Sequence, residues 1–228
     1  MTDPGVLVVT GASGTVGTCV LDHLVPAWPG RLCAIGRARP PQLPAADFLA
    51  CDLADPAATV EAASRLAAQA PIAGLICIAG VDCRASLDQM TVAAFAVSVQ
   101  VNCVAHLELL RASVRAQPAV TRPLPVVLVS SDVVGAPQFG TLIYAAAKAA
   151  AEEAFRHAAV DVPAPGIALL TVRLPDIGVP MRAAAPGPPP PPRTSEDRPS
   201  AQLRAAAQAI TKFITADHAT GIEEMWHA

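Results

Sequence analysis

Seven short apolar runs, each bounded by turn residues, recur along this chain with helix-length stretches between them: "GVLVVT" (5–10), "RLCAIG" (31–36), "DFLAC" (47–51), "PIAGLICIAG" (71–80), "PLPVVLVS" (123–130), "GIALLTVR" (166–173) and "GIEEMW" (221–226). Runs of this length and content are predicted strands. The stretches near 15–26, 56–69, 91–116, 141–159 and 199–215 are predicted helices. When strands and helices alternate, each strand returns to the sheet by a right-handed crossover and lies parallel to its predecessor. The expected architecture is α/β, a doubly wound, seven-stranded, mainly parallel sheet with helices on both faces. The chain is 53% hydrophobic but only 4% aromatic, so Ala, Val, Leu and Ile must build the interior. Such residues suit helices packed closely on a sheet that is buried on both sides.

One segment breaks the rhythm. "PMRAAAPGPPPPPRTSEDRPS" (180–200) contains five consecutive prolines and is excluded from helix and interior strand alike. Helix and strand patterns resume after it, so the 228 residues are expected to form one domain, 1–228, with a substrate-lid loop at about 180–200. A flexible linker, or a ligand for another protein's aromatic groove, is the alternative reading of that segment.

The net charge is −3 without any basic block, which argues against nucleic acid as a partner. The start, "MTDPGVLVVTG", lacks a basic region and a long apolar core, and the apolar stretch 92–110 is interrupted by Ser98, Gln100, Asn102, His106 and Glu108. Neither a signal peptide nor a membrane partner is expected. Six cysteines without CxxC spacing are expected to be reduced core residues of a cytoplasmic protein, and five histidines without paired-ligand spacing predict no metal.

The turn after the first predicted strand is the first candidate site. In "VVTGASGTVG", Gly11, Gly14 and Gly17 fall between strand and helix, with Ser13, Thr15 and Val16 among them. Glycines there let the backbone turn tightly and approach a pyrophosphate, whose charge meets free N–H groups and the positive end of the helix dipole. This is the signature of a Rossmann-type dinucleotide site. About twenty residues beyond the glycines, where an acidic residue would bind the ribose hydroxyl of NAD, stands Arg37, with Arg39 close behind. A guanidinium fork suits a 2′-phosphate, which favours NADP(H) and leaves NAD(H) as the alternative. Asp52, in "ACDLAD", is placed to accept from an adenine amino group, although an Asp just before a helix is often a cap.

Tyr144 is the single tyrosine of the chain, and Lys148 lies four residues after it in "YAAAK". Residues four apart share a helix face, so the pair is expected to point into one cleft. An ammonium close to a phenol would lower its pKa from the ordinary value of about 10 and make it a usable general acid or base. Spacing alone would equally describe a solvated surface helix. Ser131, thirteen residues before Tyr144 at the end of the fifth strand, and Asn102 in the predicted helix 91–116 place further polar groups at the same crevice.

These motifs together resemble those of the short-chain dehydrogenase/reductase family over nearly the whole length. The match comprises "TGASGTVG", Asp52-Leu53, "CIAG" (77–80), Asn102 in "VQVNCVAH", Ser131, and Tyr144 with Lys148. The resemblance implies that Tyr144 protonates a carbonyl oxygen as hydride arrives and that Ser131 polarises that oxygen. Lys148 would hold the nicotinamide ribose and depress the Tyr144 pKa, while Asn102 would position a water. It also implies that Leu53, Ala79, Gly80, Pro175 and Ile177 border the cofactor. The helices 91–116 and 141–159 would build a homodimer or homotetramer. The glycine spacing, GxxGxxG, departs from the GxxxGxG of shorter reductases, and "CIAG" lacks the asparagines usual before Ala-Gly, which predicts a lost polar contact at that strand end.

The leading expectation is an NADPH-dependent carbonyl reductase acting on a small-molecule ketone of apolar or acyl type. Alcohol oxidation uses the same residues in reverse. A silent NADP(H)-binding sensor and an epimerase or dehydratase are the readings from other classes.

Overall fold

The computed structural model describes residues 5–44, 47–69, 71–117, 122–177, 199–218 and 223–227. The strands are β1 (Val6–Thr10), β2 (Arg31–Gly36), β3 (Phe48–Ala50), β4 (Ile72–Cys77), β5 (Leu124–Ser131), β6 (Ile167–Leu174) and β7 (Glu223–His227). They form one seven-stranded sheet in the order β3-β2-β1-β4-β5-β6-β7, and every pairing is parallel. The helices are α1 (Thr15–Leu24), α2 (Pro56–Gln69), α3 (Val92–Val99), α4 (Ala105–Arg115), α5 (Leu142–Asp161) and α6 (Ala201–Thr215). The expected α/β doubly wound architecture is the observed one, and it is a Rossmann-type fold.

Alternation within each strand sorts the core into two layers. Val6 and Val8 of β1 face a cluster that includes Leu66 of α2, Leu109 of α4 and Phe155 of α5. Leu7 and Val9 face the other side, with Leu21 of α1 and Ile210 of α6. A parallel sheet covered by helices on both faces needs apolar side chains in both directions, which is why these strands read as continuous apolar runs. The six cysteines form no disulfide among the described residues, and five of them are buried in these layers. α5 is further tied to β6 by a two-point ion pair, in which Arg173 donates to Glu152 at 2.9 and 2.5 Å.

Strand order reverses between β1 and β4, the point at which open α/β sheets receive ligands at the carboxyl ends of their strands. Two predicted elements differ from their observed form here. The run 71–80 was expected to be strand throughout, yet β4 ends at Cys77. The N–H groups of Ile78 and Ala79 donate instead to the Thr10 hydroxyl, at 3.0 and 3.2 Å, which turns the backbone out of the ladder. The helix expected over 91–116 is divided by a π-helical turn, Gln100–Val104, in which the Ala105 N–H reaches back to the Gln100 carbonyl. Such turns insert a residue and recur at functional sites. The segment Val92–Arg115 is long and apolar enough to cross a membrane by length and composition alone, but its Val101, Cys103, Ala105 and Leu109 are built into the core against the sheet.

α1 approaches β1 closely because of Gly17. A β-carbon there would lie 2.2 Å from the Gly11 carbonyl oxygen and 2.6 Å from the Ala12 Cα, so backbone would have to move. Gly17→Ala is expected to lower stability by about 1–3 kcal/mol, the usual cost of overpacking, measured as a lower urea midpoint at unchanged slope.

Candidate active site

The cofactor turn is built from backbone. Gly11 has φ +67°, a left-handed conformation natural to glycine, and a β-carbon on it would lie 2.6 Å from the Ala79 nitrogen. The Gly14 N–H closes the turn on the Gly11 carbonyl at 3.0 Å. Gly14 then caps α1 without any side-chain hydrogen bond, which leaves first-turn N–H groups and the positive end of the helix dipole for a phosphate. Ser13, Thr15 and Val16 lie half-buried along the turn, Val16 against the α1–α6 layer. Ala79 and Gly80, both partly exposed, form the opposite lip at the end of β4.

Beyond the turn, Arg37 is exposed just after β2 and makes no hydrogen bond or ion pair with the described residues. Arg39 is engaged, donating to the Leu43 carbonyl. The Asp52 carboxylate accepts from the Ala54 N–H at 3.1 Å, while Asp55 holds the Ala57 and Ala58 N–H groups at the start of α2. The capping work therefore falls to Asp55. Leu53 is a core residue. Pro175 is half-buried beyond β6, and Ile177 packs on the α1–α6 layer. Residues 180–198 of the expected lid lie outside the described residues.

Ser131 ends β5, and the first two turns of α5 carry Tyr144 and Lys148; all three are buried. The Ser131 hydroxyl neighbours the Tyr144 phenol, donates to the Asp132 carboxylate at 3.3 Å and accepts the Val133 N–H at 3.4 Å. Lys148 lies under the phenol ring, with Nζ 5.8 Å from the ring centroid, and Nζ donates to the Val129 carbonyl at 2.8 Å. Burial holds the lysine well below its ordinary value, at about 8, with Cys77, Glu152 and Cys103 partly offsetting the shift.

One expectation requires correction. Tyr144 is not held below its ordinary pKa but above it, first by burial and then by the Asp82 carboxylate; the neighbouring Ser131 hydroxyl and the Arg84 guanidinium oppose this only in part. Lys148 cannot counter it because its ammonium is directed to the strand carbonyl beneath the ring. The lysine here anchors helix to strand, and the phenol stays protonated.

Asn102 also has more structural work than a water-holding role suggests. Its amide accepts from the Val81 N–H at 3.3 Å, and donates to the Val81 carbonyl at 2.9 Å and to the Ser98 carbonyl and hydroxyl at 3.0 and 3.1 Å. Four residues on, the Ala85 N–H donates to the Gly140 carbonyl at 3.0 Å, in a parallel bridge between Ala85 and Thr141. The loop after β4 is thus pinned at both ends, and between the pins Asp82 pairs with Arg84 at 2.7 Å. Asp82 was not anticipated; its signal was its place two residues after Gly80.

Thr10 and His106 were missed as well. The Thr10 oxygen, which accepts the Ile78 and Ala79 N–H groups, lies 3.1 Å from His106 Nε2. The polar contact that "CIAG" was expected to lack is therefore present, made from the other side. Its sequence signals were the threonine directly before Gly11 and a histidine one helical turn after Asn102.

The family model for short chain dehydrogenase matches residues 5–187. The chain belongs to the short-chain dehydrogenase family. As a short-chain dehydrogenase it is an oxidoreductase of alcohol and carbonyl groups that acts on small molecules. Among solved structures it is similar to a short chain dehydrogenase/reductase family oxidoreductase from Brucella ovis in complex with a partially ordered NAD, at 21% identity over 97% of this chain and 98% of that one, with TM-score 0.76. It is similar to a 3-oxoacyl (acyl-carrier-protein) reductase from Agrobacterium tumefaciens C58 with NADP bound, at 19% identity over 97% and 92% of the two chains, with TM-score 0.72. An alcohol dehydrogenase from Thermococcus sibiricus, complexed with 5-hydroxy-NADP, is 15% identical over 98% and 95%, with TM-score 0.74. No curated protein sequence matches significantly.

The lysine of this dehydrogenase has a stability signature. Lys148 titrates at about 8 when folded, against an ordinary 10.5, so between these values the unfolded chain binds the extra proton and stability rises with pH. From pH 8 to 9 the wild type is expected to gain about 1 kcal/mol relative to Lys148→Met, read from urea unfolding at both pH values. Equal pH responses would contradict the buried titration.

Proposed function

We propose that this short-chain dehydrogenase is an NADPH-dependent carbonyl reductase, acting on a ketone of apolar or acyl type with Tyr144 as proton donor. The observation that carries the reading is the buried Ser131–Tyr144 pair at the carboxyl edge of the sheet, beside a glycine turn open to a phosphate. A nicotinamide cofactor supplies the hydride when bound. Gly11, Gly14 and Gly17 would receive its pyrophosphate, and Ala79, Gly80, Pro175 and Ile177 would border it.

The raised pKa of Tyr144 supports the reductive direction. A phenol that keeps its proton is available to donate it as charge develops on the carbonyl oxygen, whereas oxidation would begin from the phenolate that this site disfavours. Ser131, beside the phenol, would orient the same oxygen. Lys148 has donors beyond the one spent on Val129 and would use them on a ribose hydroxyl. Asn102 would serve by fixing Val81 and the loop that bears Asp82.

For the cofactor, support comes from Arg37, exposed beside the end of β2, unengaged among the described residues, and suited to a 2′-phosphate. Homodimer or homotetramer assembly through 91–116 and 141–159 belongs to the same reading; Val92, Val104 and Leu142 are exposed apolar side chains on these helices.

Incubation with NADPH and a panel of ketones, followed by cofactor absorbance, tests the proposal. Tyr144→Phe is expected to keep NADPH affinity and lose about 10²- to 10⁴-fold in turnover. Undiminished reduction by that variant would remove Tyr144 from its role, and tight NADPH binding without turnover on any ketone would favour a sensor. Arg37→Glu is expected to raise the KM for NADPH by about 10- to 100-fold and to leave that for NADH nearly unchanged.

A further inference from the structure

His106 is a buried titratable group for which the chemistry above has no use. It is fully enclosed, and burial, with Lys148 nearby, pushes it down to about 3. Its tautomer follows from its neighbours. The Thr10 oxygen already accepts two backbone N–H groups, from Ile78 and Ala79, so its single proton is free to donate, and His106 Nε2 lies 3.1 Å away. Nε2 must then be the unprotonated acceptor and Nδ1 must carry the hydrogen. Nδ1, one helical turn beyond Asn102, makes no hydrogen bond among the described residues.

This imidazole joins three parts of the site that lie far apart in the chain. Thr10 immediately precedes Gly11, and Ala79 is the residue whose nitrogen a β-carbon on Gly11 would strike at 2.6 Å. The lips of the cofactor turn are thus set against each other by one hydroxyl, and that hydroxyl is oriented by a side chain from the helical segment that also carries Asn102. We propose that His106 is a positioning residue for the nicotinamide cofactor: as an Nδ1–H imidazole it locks Thr10, and through Thr10 the Gly11–Ala79 approach, to the helical segment that carries Asn102.

The proposal rests on the reading of the glycine turn as the cofactor site, and the two are tested separately. In the cofactor-free protein, ¹⁵N-resolved imidazole spectra are expected to show one of the five histidines unprotonated at Nε2, protonated at Nδ1 and unchanged from pH 5 to 9. An Nε2–H tautomer, or titration in that range, overturns the proposal whatever the protein binds. His106→Leu is expected to raise the NADPH Kd about tenfold, the loss of one buried hydrogen-bond acceptor. His106→Gln, whose amide oxygen can accept the Thr10 proton, is expected to restore most of the affinity. Thr10→Val removes the other partner, decides the matter should the leucine variant not fold, and is expected to raise Kd similarly. Wild-type affinity in His106→Leu or Thr10→Val, or a glutamine variant no better than leucine, overturns the proposal. Failure of the wild type to bind any nicotinamide cofactor strikes the functional reading instead.

Discussion

The Thr10 hydroxyl, with three hydrogen bonds on one oxygen, is the contact on which the rest of this site depends. At the reversal of strand order two neighbouring strands must stop, part and present their ends to a ligand, and the parting leaves buried N–H groups without a ladder. Unpaired, such groups cost about 1–3 kcal/mol each, so a strand end of this kind needs an acceptor of its own. Here the acceptor comes from the strand next door. The crevice and its stabilisation therefore arise from the same residue, and the glycine turn begins at the next position.

Most of the architecture was legible because it rests on patterns that burial imposes. Each strand is covered on both faces, so each appears as an unbroken apolar run, and the helices between them set the parallel topology. The departures come from hydrogen bonds that no periodicity records. Ile78 continues the apolar run of β4, yet its N–H is taken by a side chain 68 residues earlier. The π-helical turn at Gln100–Val104 leaves the helical pattern of 91–116 intact while inserting a residue into it.

The same distinction runs through the site. Ser131, Tyr144 and Lys148 were placed by spacing, and the structure puts the serine on the phenol and the lysine beneath it. The direction of the Tyr144 shift was not legible, because it depends on how much water the fold removes and on where the ammonium points. Asp82, placed by the pinned loop after β4, adds a charge that the motif does not contain. Burial of both partners is costly, and the fold meets it by giving Lys148 a carbonyl and leaving Tyr144 neutral.

Lys148 grips β5 at Val129, two residues before Ser131, and Arg173 of β6 grips the same helix through Glu152. Serine, phenol and lysine are thereby held on one strand and one helix, and that helix is fastened both to the strand and to its neighbour β6. The loop after β4 is a separate part, clipped on at Val81 and Ala85. Machinery divided in this way can be refitted for a new molecule by recutting the clipped-on part, with the proton-handling parts left in their original alignment.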